Sequence, residues 1–335
     1  MKHINVSVFV PHAGCPHQCS FCNQRSISGA ASQPTAQDVR DAALVAMRSS
    51  PEGIKDGEIA FFGGSFTAID RDYMTELLSA AQEFIGENGF RGIRISTRPD
   101  AVDGEICDIL EKYRVTAVEL GAQSTDDRVL AMNRRGHTRE DIFRSARLLK
   151  ERGFETGLQM MTGLYGSTDE DCMNTARDII SLAPDTVRIY PTVVIEHTEL
   201  AELFRRGKYR PQTPEEAAVL CAKLLPVFES AGIRVIRLGL HSGGDVEGSF
   251  VAGAYHPALR EMCEGHIYFD IISKALAGRE RGRYIIYVAP REVSKAAGQR
   301  RCNLEKLKEL GYECRIKESA RLTARDIDLE KVNLL

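Results

Sequence analysis

Apolar positions along the chain recur with two periods, and the two periods alternate. Residues 4–10 alternate apolar and polar side chains, which is typical of a strand. Residues 70–86 place apolar side chains three and four positions apart, which predicts a helix. The alternation continues, with strands predicted at 58–62, 92–97, 115–120, 154–161 and 185–190, and helices at 35–49, 103–113, 124–152 (broken near Gly136) and 168–182. Six strand-then-helix units therefore fill about 190 residues.

Short connections and apolar strands in such a series are typical of a parallel sheet covered by helices. Eight units close a full barrel. Six units therefore predict an α/β fold built as a partial, open (β/α)6 TIM-like barrel. A further helix at 214–231 and a further strand at 233–238 follow a connector.

The pattern changes after residue 240. Residues 241–257 are rich in Gly and His, and beyond them we expect a helix at 258–277, a strand at 283–289, a helix at 292–310 and a strand at 312–317. This alternation predicts a small C-terminal α/β appendix. The expected division is a barrel core over residues 1–240 and an extension over residues 241–335.

Composition narrows the class of protein. Hydrophobic residues make up 43% of the chain, which is ample for a core. No stretch reaches about 18 uninterrupted apolar residues, so no membrane span or secretory signal is expected. The net charge of −3 indicates no particular partner. Nine cysteines, an odd number in a chain of this length, argue against a disulfide framework and favour a reducing, cytoplasmic location.

Three of the cysteines are clustered. Cys15, Cys19 and Cys22 lie within eight residues, directly after the first predicted strand, where a (β/α) barrel collects its catalytic loops. Thiolates favour iron–sulfur clusters or zinc. A closed structural metal site takes four protein ligands. Three thiolates on a cluster of four irons would leave one iron free for a substrate or cofactor.

Three other interpretations of these cysteines remain open. They could bind zinc in an interaction module, with His12 or His17 as a fourth ligand. Cys19 and Cys22 alone could form a redox pair, which would leave Cys15 unexplained. All three could be core thiols that cluster by chance, although their position in a loop with Gly and Pro disfavours this.

Polar groups recur where the predicted strands end, which is the edge at which parallel sheets bind ligands. They are Gly63-Gly64-Ser65 after the second strand, Ser96 to Asp100 after the third, Glu119 to Ser124 after the fourth, Gln159 in the fifth and Arg188 to Thr192 in the sixth. A single such group is usually structural. Five such groups, at the ends of five successive strands, favour a binding site.

The cysteine spacing, with Phe21 before the last cysteine, resembles the signature of the radical S-adenosylmethionine (SAM) superfamily. The resemblance implies that Cys15, Cys19 and Cys22 hold a [4Fe–4S] cluster. It implies that SAM chelates the fourth iron. It also implies reductive cleavage of SAM to methionine and a 5′-deoxyadenosyl radical, which takes a hydrogen atom from the substrate.

Further segments extend the resemblance. Gly63-Gly64-Ser65 is similar to the superfamily's Gly-Gly motif, which contacts the methionine part of SAM. Thr97 to Asp100, Glu119 to Ser124, Arg135 to Thr138 and Ile189 to Thr192 resemble the radical SAM part of the Elongator catalytic subunit family. Ser96 departs from that pattern, which has Glu there. The resemblance implies a set of SAM-binding candidates: Phe21, Gly63, Gly64, Ser65, Thr97, Arg98, Gln123, Arg135 and Gln159.

The Elongator resemblance implies a tRNA nucleoside as substrate. Reductive cleavage of SAM would also need an electron donor, such as a flavodoxin or ferredoxin. A chain of 335 residues is expected to leave no room for the acetyltransferase domain of that family. A more distant similarity to the anaerobic coproporphyrinogen oxidase family implies the alternative, a small molecule such as a tetrapyrrole.

The predicted appendix is basic. Residues 279–317 hold eleven Lys and Arg against five Glu. Lys295, Arg300 and Arg301 are the candidates for contact with RNA phosphates. A solvated basic helix would explain the same charges equally well.

Overall fold

A parallel sheet forms the centre of the protein. The computed structural model describes residues 5–11, 15, 19–23, 32–49, 54–240 and 248–332. The sheet has seven strands that lie side by side in chain order, and every neighbouring pair is parallel. Its strands are β1 (Asn5–Val10), β2 (Glu58–Gly63), β3 (Gly92–Thr97), β4 (Val115–Gln123), β5 (Glu155–Thr162), β6 (Thr186–Pro191) and β8 (Arg234–Leu238). The sheet curls into a half-barrel, so the predicted fold is confirmed.

Helices connect successive strands and cover one face of the sheet. They are α1 (Ala36–Ser49), α2 (Arg71–Gln82), α3 (Gly104–Lys112), α4 (Asp127–Met132), α5 (Arg139–Glu151), α6 (Asp169–Leu182), α7 (Glu199–Arg205) and α8 (Pro214–Ser230). Their first turns are capped by side chains. Asp70 caps α2, and Thr138 and Thr168 form capping boxes at α5 and α6. Such caps satisfy backbone N–H groups that have no partner inside a helix.

The two faces of the sheet differ in chemistry because side chains alternate along each strand. Val8, Ile59 and Ile93 point towards the helices and are buried in the main core. The concave face instead carries charged side chains, among them Arg94 and Glu119. Part of the interior of the half-barrel is therefore charged.

The C-terminal part forms a second sheet. It contains α9 (Leu259–Leu276), β10 (Gly282–Val288), α10 (Val293–Ala297), α11 (Cys302–Glu309), β11 (Tyr312–Glu318) and β12 (Ile327–Lys331). The strand order is β11-β10-β12, with β11 parallel and β12 antiparallel to β10. One end of α9 packs in the main core through Leu259 and Cys263, and the other packs in the second core through Ile272 and Leu276. The α/β appendix is present, and its boundary at residue 240 stays a prediction.

Three local expectations were wrong. The helix predicted at 292–310 is interrupted, because Gly298, Arg300 and Arg301 all have positive φ and lie between α10 and α11. Strand β12 was not predicted. Two short strands, β7 (Val193–Ile195) and β9 (Phe250–Gly253), pair antiparallel in the connector and in the stretch rich in Gly and His, where no strand was predicted. Among the described residues, no helix is both long and apolar enough to cross a membrane.

Candidate functional site

The three clustered cysteines follow β1. Cys19 is buried, Cys15 and Cys22 are half-buried, and none of the three forms a disulfide. Ser20 anchors this segment: its hydroxyl donates to Asn133 Oδ1 at 2.8 Å, and its backbone N–H donates to the Asn133 carbonyl at 3.1 Å. Asn133 caps the C-terminal end of α4, so the helix end holds the segment that carries Cys19 and Cys22.

A buried guanidinium lies against Cys19. Arg135 Nη1 donates to Cys19 Sγ at 3.1 Å, and Nη2 donates to the Gly121 carbonyl at 2.6 Å. Arg98 Nη2 donates to the Arg135 carbonyl at 2.7 Å and pairs with Asp100 at 2.8 Å. Arg98 and Arg135 were predicted to contact SAM. The donors named here bind protein atoms, whereas Arg135 Nε is buried without a partner among the described residues.

Cys15 is influenced by the same charges. Burial raises the pKa of the Cys15 thiol above its usual value, while a hydrogen bond from the Ser65 backbone and the charges of Arg98 and Arg135 act in the opposite direction. The end of β2 and two arginines therefore converge on this sulfur. Hydrogen bonds and charges around sulfur are a means by which proteins tune iron–sulfur centres.

The donor set, three thiols that follow β1, is of the kind that iron–sulfur clusters take as ligands. A zinc ion needs about four donors at roughly 2.0–2.3 Å from one point. Among the described residues, no group of three or more His, Cys, Asp or Glu side chains converges in this way. A cluster of four irons instead binds each thiolate at a different iron. His12 and His17, the candidate fourth ligands of zinc, lie outside the described residues.

The Gly-Gly segment is fixed by contact with β1. Gly63 has φ +114°, and a Cβ there would lie 2.8 Å from the Val10 carbonyl oxygen and 2.9 Å from the Phe9 ring. Gly64 N–H donates to the same carbonyl at 2.8 Å. Close strand packing therefore explains glycine at position 63. The contact of both glycines with SAM stays a prediction.

Ser65 and Thr97 join the ends of β2 and β3. Their hydroxyls are 3.0 Å apart, the Arg98 backbone N–H donates to Ser65 Oγ at 3.1 Å, and Thr67 Oγ1 lies 2.7 Å from Thr97 Oγ1. Both side chains are buried. These hydroxyls hold the strand ends in place, and their predicted contact with SAM is untested.

Four of the predicted residues meet around one cavity, which we call the cysteine-side cavity. Its volume is about 180 Å³, and its lining is mostly apolar. It is lined by Phe21, Cys22, Gln123, Gln159, Met161, Tyr190, Pro191, Val193, Ile195 and Leu240. Gln123 has φ +67°, and its buried amide oxygen lacks a partner among the described residues. Gln159 Nε2 donates to Glu119 Oε2 at 2.9 Å. A free buried acceptor in an apolar cavity is suited to a ligand that donates a hydrogen bond.

A charged network on the concave face was missed from the sequence. Arg94 contacts Glu58 at 2.6 Å, Glu155 at 2.7 Å and Glu119 at 3.4 Å. Arg188 contacts Glu119 at 2.5 Å. The sequence does contain a signal for this network, because these charged side chains share one face of the sheet. Recognising it required the register of the strands, which periodicity does not give.

The basic candidates lie elsewhere in the fold. Arg300 and Arg301 are exposed in the turn between α10 and α11, whereas Lys295 pairs with Glu292 at 2.7 Å. None of the three lines the cysteine-side cavity. The structure therefore places them in the appendix, apart from the residues around the cysteines.

The curled parallel sheet and its cysteine loop define a class that sequence comparison also finds. The chain belongs to the radical SAM superfamily: its family model matches residues 9–179, and the radical SAM C-terminal domain model matches residues 184–268. The chain is accordingly a radical SAM enzyme. This superfamily uses a [4Fe–4S] cluster and SAM, so the predicted family and cofactors are confirmed.

Within the superfamily, the chain is similar to Elongator-type proteins. It is 33% identical to the tRNA uridine(34) acetyltransferase of Methanocaldococcus jannaschii over 180 residues, which is 48% of this chain and 33% of the relative. It is 28% identical to Elongator complex protein 3 of Schizosaccharomyces pombe over 205 residues, or 53% and 37% of the two chains. The chain thus spans about a third of the length of these curated relatives.

Comparison with solved structures finds the same fold. The structure of Methanocaldococcus infernus Elp3 with an N-terminal deletion superposes with a TM-score of 0.65 at 24% identity, covering 82% of this chain and 63% of that chain. The similarity covers the radical SAM part of these proteins, as the sequence analysis expected.

Proposed function

We propose that this radical SAM enzyme cleaves SAM reductively to a 5′-deoxyadenosyl radical and uses it to modify a nucleoside of tRNA. Cys15, Cys19 and Cys22 would hold the [4Fe–4S] cluster, which supplies the electron for cleavage. The observation that supports this ligand set most directly is the contact of Arg135 with Cys19 at 3.1 Å. A guanidinium only donates hydrogen bonds, so the sulfur is the acceptor.

The cysteine-side cavity is the proposed place for the nucleoside part of SAM. Phe21, Gln123 and Gln159 line it next to Cys22, and the free amide oxygen of Gln123 offers an acceptor for an amino or hydroxyl group. Gly63, Gly64 and Ser65, at the end of β2, would face the methionine part. Thr97, Arg98 and Arg135 would position these groups, since their polar atoms chiefly bind protein atoms.

The proposed substrate, a tRNA nucleoside, rests on the similarity to a tRNA uridine(34) acetyltransferase and on the basic appendix. Arg300 and Arg301 are exposed and would contact RNA phosphates together with Lys295. We further propose a cytoplasmic location, in keeping with nine cysteines that form no disulfide, and a flavodoxin or ferredoxin as reductant.

The cluster assignment can be tested with one substitution and a matched control. Cys19→Ala protein, purified without oxygen, should lose most of its bound iron and should release no 5′-deoxyadenosine when SAM and dithionite are added. Cys314→Ala removes a half-buried thiol of β11 and should leave both properties unchanged. Normal release by the Cys19→Ala protein, or one zinc and no iron in the unmodified protein, would refute the assignment.

The substrate requires a separate experiment. Nucleoside mass spectrometry of tRNA from cells that lack the protein should reveal one missing modification. Binding of tRNA by the purified enzyme should weaken with salt and with the pair Arg300→Glu and Arg301→Glu, but not with Arg48→Glu, an exposed arginine of α1. An unchanged tRNA profile, together with turnover of a porphyrinogen, would replace tRNA by a tetrapyrrole substrate.

A further inference from the structure

A second and larger cavity lies inside the half-barrel, on the side where the sheet is open. Its volume is about 610 Å³. Both edge strands contribute to it, β1 through Ser7 and β8 through Arg234 and Arg237, so it spans the gap between the two ends of the sheet. Cavities of this size are typical of small-molecule sites. We call it the arginine cavity.

The lining of the arginine cavity is strongly positive. Five arginines line it against one carboxylate, that of Glu155. Two buried carboxylates behind the lining, Glu58 and Glu119, reduce this excess but do not cancel it. Burial lowers the pKa of Arg237, and the positive charge of Arg188 lowers it further, so these two guanidinium groups are close enough to interact.

The ion pairs of the sheet account for only part of this charge. Arg94 and Arg91 each contact both Glu58 and Glu155, so these two arginines are neutralised within the protein. The Arg234 side chain, by contrast, has no hydrogen bond or ion pair among the described residues and is exposed to the cavity. A structural role in the network therefore does not explain it.

Two further polar groups of the lining lack partners. Thr186 Oγ1 and Arg188 Nε are buried, and neither has a hydrogen bond among the described residues. Thr186 is 2% exposed, and leaving such a group unpaired is costly unless a ligand or water satisfies it. In the register of the sheet Thr186 pairs with Arg234, so both residues occupy the same level of the cavity.

We infer that the arginine cavity binds an oxyanion, a phosphate or carboxylate, carried by the molecule on which this enzyme acts. Arg234 and Arg237 would donate to its oxygens from β8, and Arg188 and Thr186 from β6. Arginine binds both kinds of group through its planar set of donors. A hydroxyl and several guanidinium groups around one cavity supply hydrogen-bond donors and positive charge, and both favour an anionic ligand.

The location connects this anion site with the proposed SAM site. Arg188 Nη1 lies 3.4 Å from the Tyr190 hydroxyl, and Tyr190 lines the cysteine-side cavity. Arg188 also contacts Glu119, which accepts a hydrogen bond from Gln159 on the other side. A molecule held by its anion in the arginine cavity would therefore extend towards the proposed SAM site. That second step rests on the proposed function, whereas binding of the anion does not.

Binding measured by calorimetry on the cluster-loaded protein tests the inference. Uridine 5′-monophosphate and uridine form one pair of probes, and succinate and succinamide form another, because each pair differs by its anionic groups. We expect one anion to bind at least about tenfold more tightly than its neutral partner. Preference for the nucleotide would identify a phosphate site, and preference for succinate a carboxylate site.

Substitutions locate the site. Arg234→Gln and Arg237→Gln should each weaken binding of the preferred anion by about tenfold, which corresponds to one lost charge-assisted contact. Arg48→Gln removes the same charge from α1, outside the cavity, and should have no effect.

Three results would overturn the inference. They are equal binding of charged and neutral probes, equal loss of binding in Arg48→Gln, and displacement of the anion by SAM, which would place it in the SAM site. Failure of the proposed function is distinguishable, since it would appear as absent 5′-deoxyadenosine release while anion binding persists.

Discussion

Replacing Arg94 by Met should destabilise the protein through three carboxylates at once. The Arg94 side chain is 5% exposed and contacts Glu58, Glu155 and Glu119, of which Glu58 is fully buried. Without Arg94, Glu58 keeps the half-exposed Arg91 at 2.6 Å as its ionic partner. Removing one member of a buried ion pair leaves an uncompensated charge in the interior, which is the main cost of such a substitution.

The size of the destabilisation depends on which ionic partners each carboxylate keeps. Breaking a buried ion pair costs about 3–5 kcal/mol. Glu119 keeps Arg188 and Glu155 is partly exposed to solvent, so the loss falls chiefly on Glu58. We therefore expect a loss at the low end of this range, a decrease of about 3 kcal/mol in the free energy of unfolding, which corresponds to roughly 4 °C in melting temperature for a chain of this length.

Urea unfolding followed by circular dichroism measures this difference. Arg91→Met is the matched control, because Arg91 contacts the same carboxylates, Glu58 and Glu155, but is 47% exposed. It should cost less than about 1 kcal/mol, as surface ion pairs do. Adding Glu58→Gln to Arg94→Met should recover part of the loss. Equal effects of Arg94→Met and Arg91→Met would refute the reasoning.

Other features of the structure lead to three shorter predictions. Gly63→Ala should destabilise the protein and reduce SAM binding in equilibrium dialysis, because its Cβ would lie 2.8 Å from the Val10 carbonyl oxygen. Gly121→Ala should weaken SAM binding with a smaller loss of stability, since its Cβ would meet the Gln123 amide at 3.0 Å. Burial alone would raise the pKa of Glu155, but hydrogen bonds and charges from Arg94 and Arg91 outweigh it, so the pKa lies below its usual value. Its stabilisation should therefore be present above about pH 4.3 and disappear as the pH falls through the lowered pKa, and thermal unfolding against pH should show a smaller acid dependence for Glu155→Gln.

The sequence predicted the half-barrel well because its elements are defined locally. Helices α5 and α6 begin at capping threonines, and a strand of β-branched residues such as β1 has a period that a helix cannot share. The break between α4 and α5 was likewise visible at Gly136, which has φ +73°. Each of these signals is contained in a few neighbouring residues.

The errors have a different origin. Gly298 ends α10, but nothing in the local sequence shows that Asn303 then donates to the carbonyls of Gly265 and Ala296 and holds the broken helix in place. Strand β12 exists because it pairs with β10, which precedes it by about 40 residues. Such pairings depend on tertiary contacts, and propensity alone does not determine them.

In the candidate site, too, local motifs could be predicted from the sequence, whereas contacts between distant residues could not. The cysteine spacing and the glycines at the end of β2 identify the chemistry, since each motif lies within a few residues. The family resemblance gave Arg135 only as a candidate for SAM binding, and the structure alone shows that it contacts Cys19, 116 residues earlier in the chain. The charge in the half-barrel is a property of register, because Arg94, Glu119 and Arg188 come from three strands. A related chain can thus keep its cysteine motif and still bind a different substrate, since the concave side chains can change without altering the motif or the alternation of strands and helices.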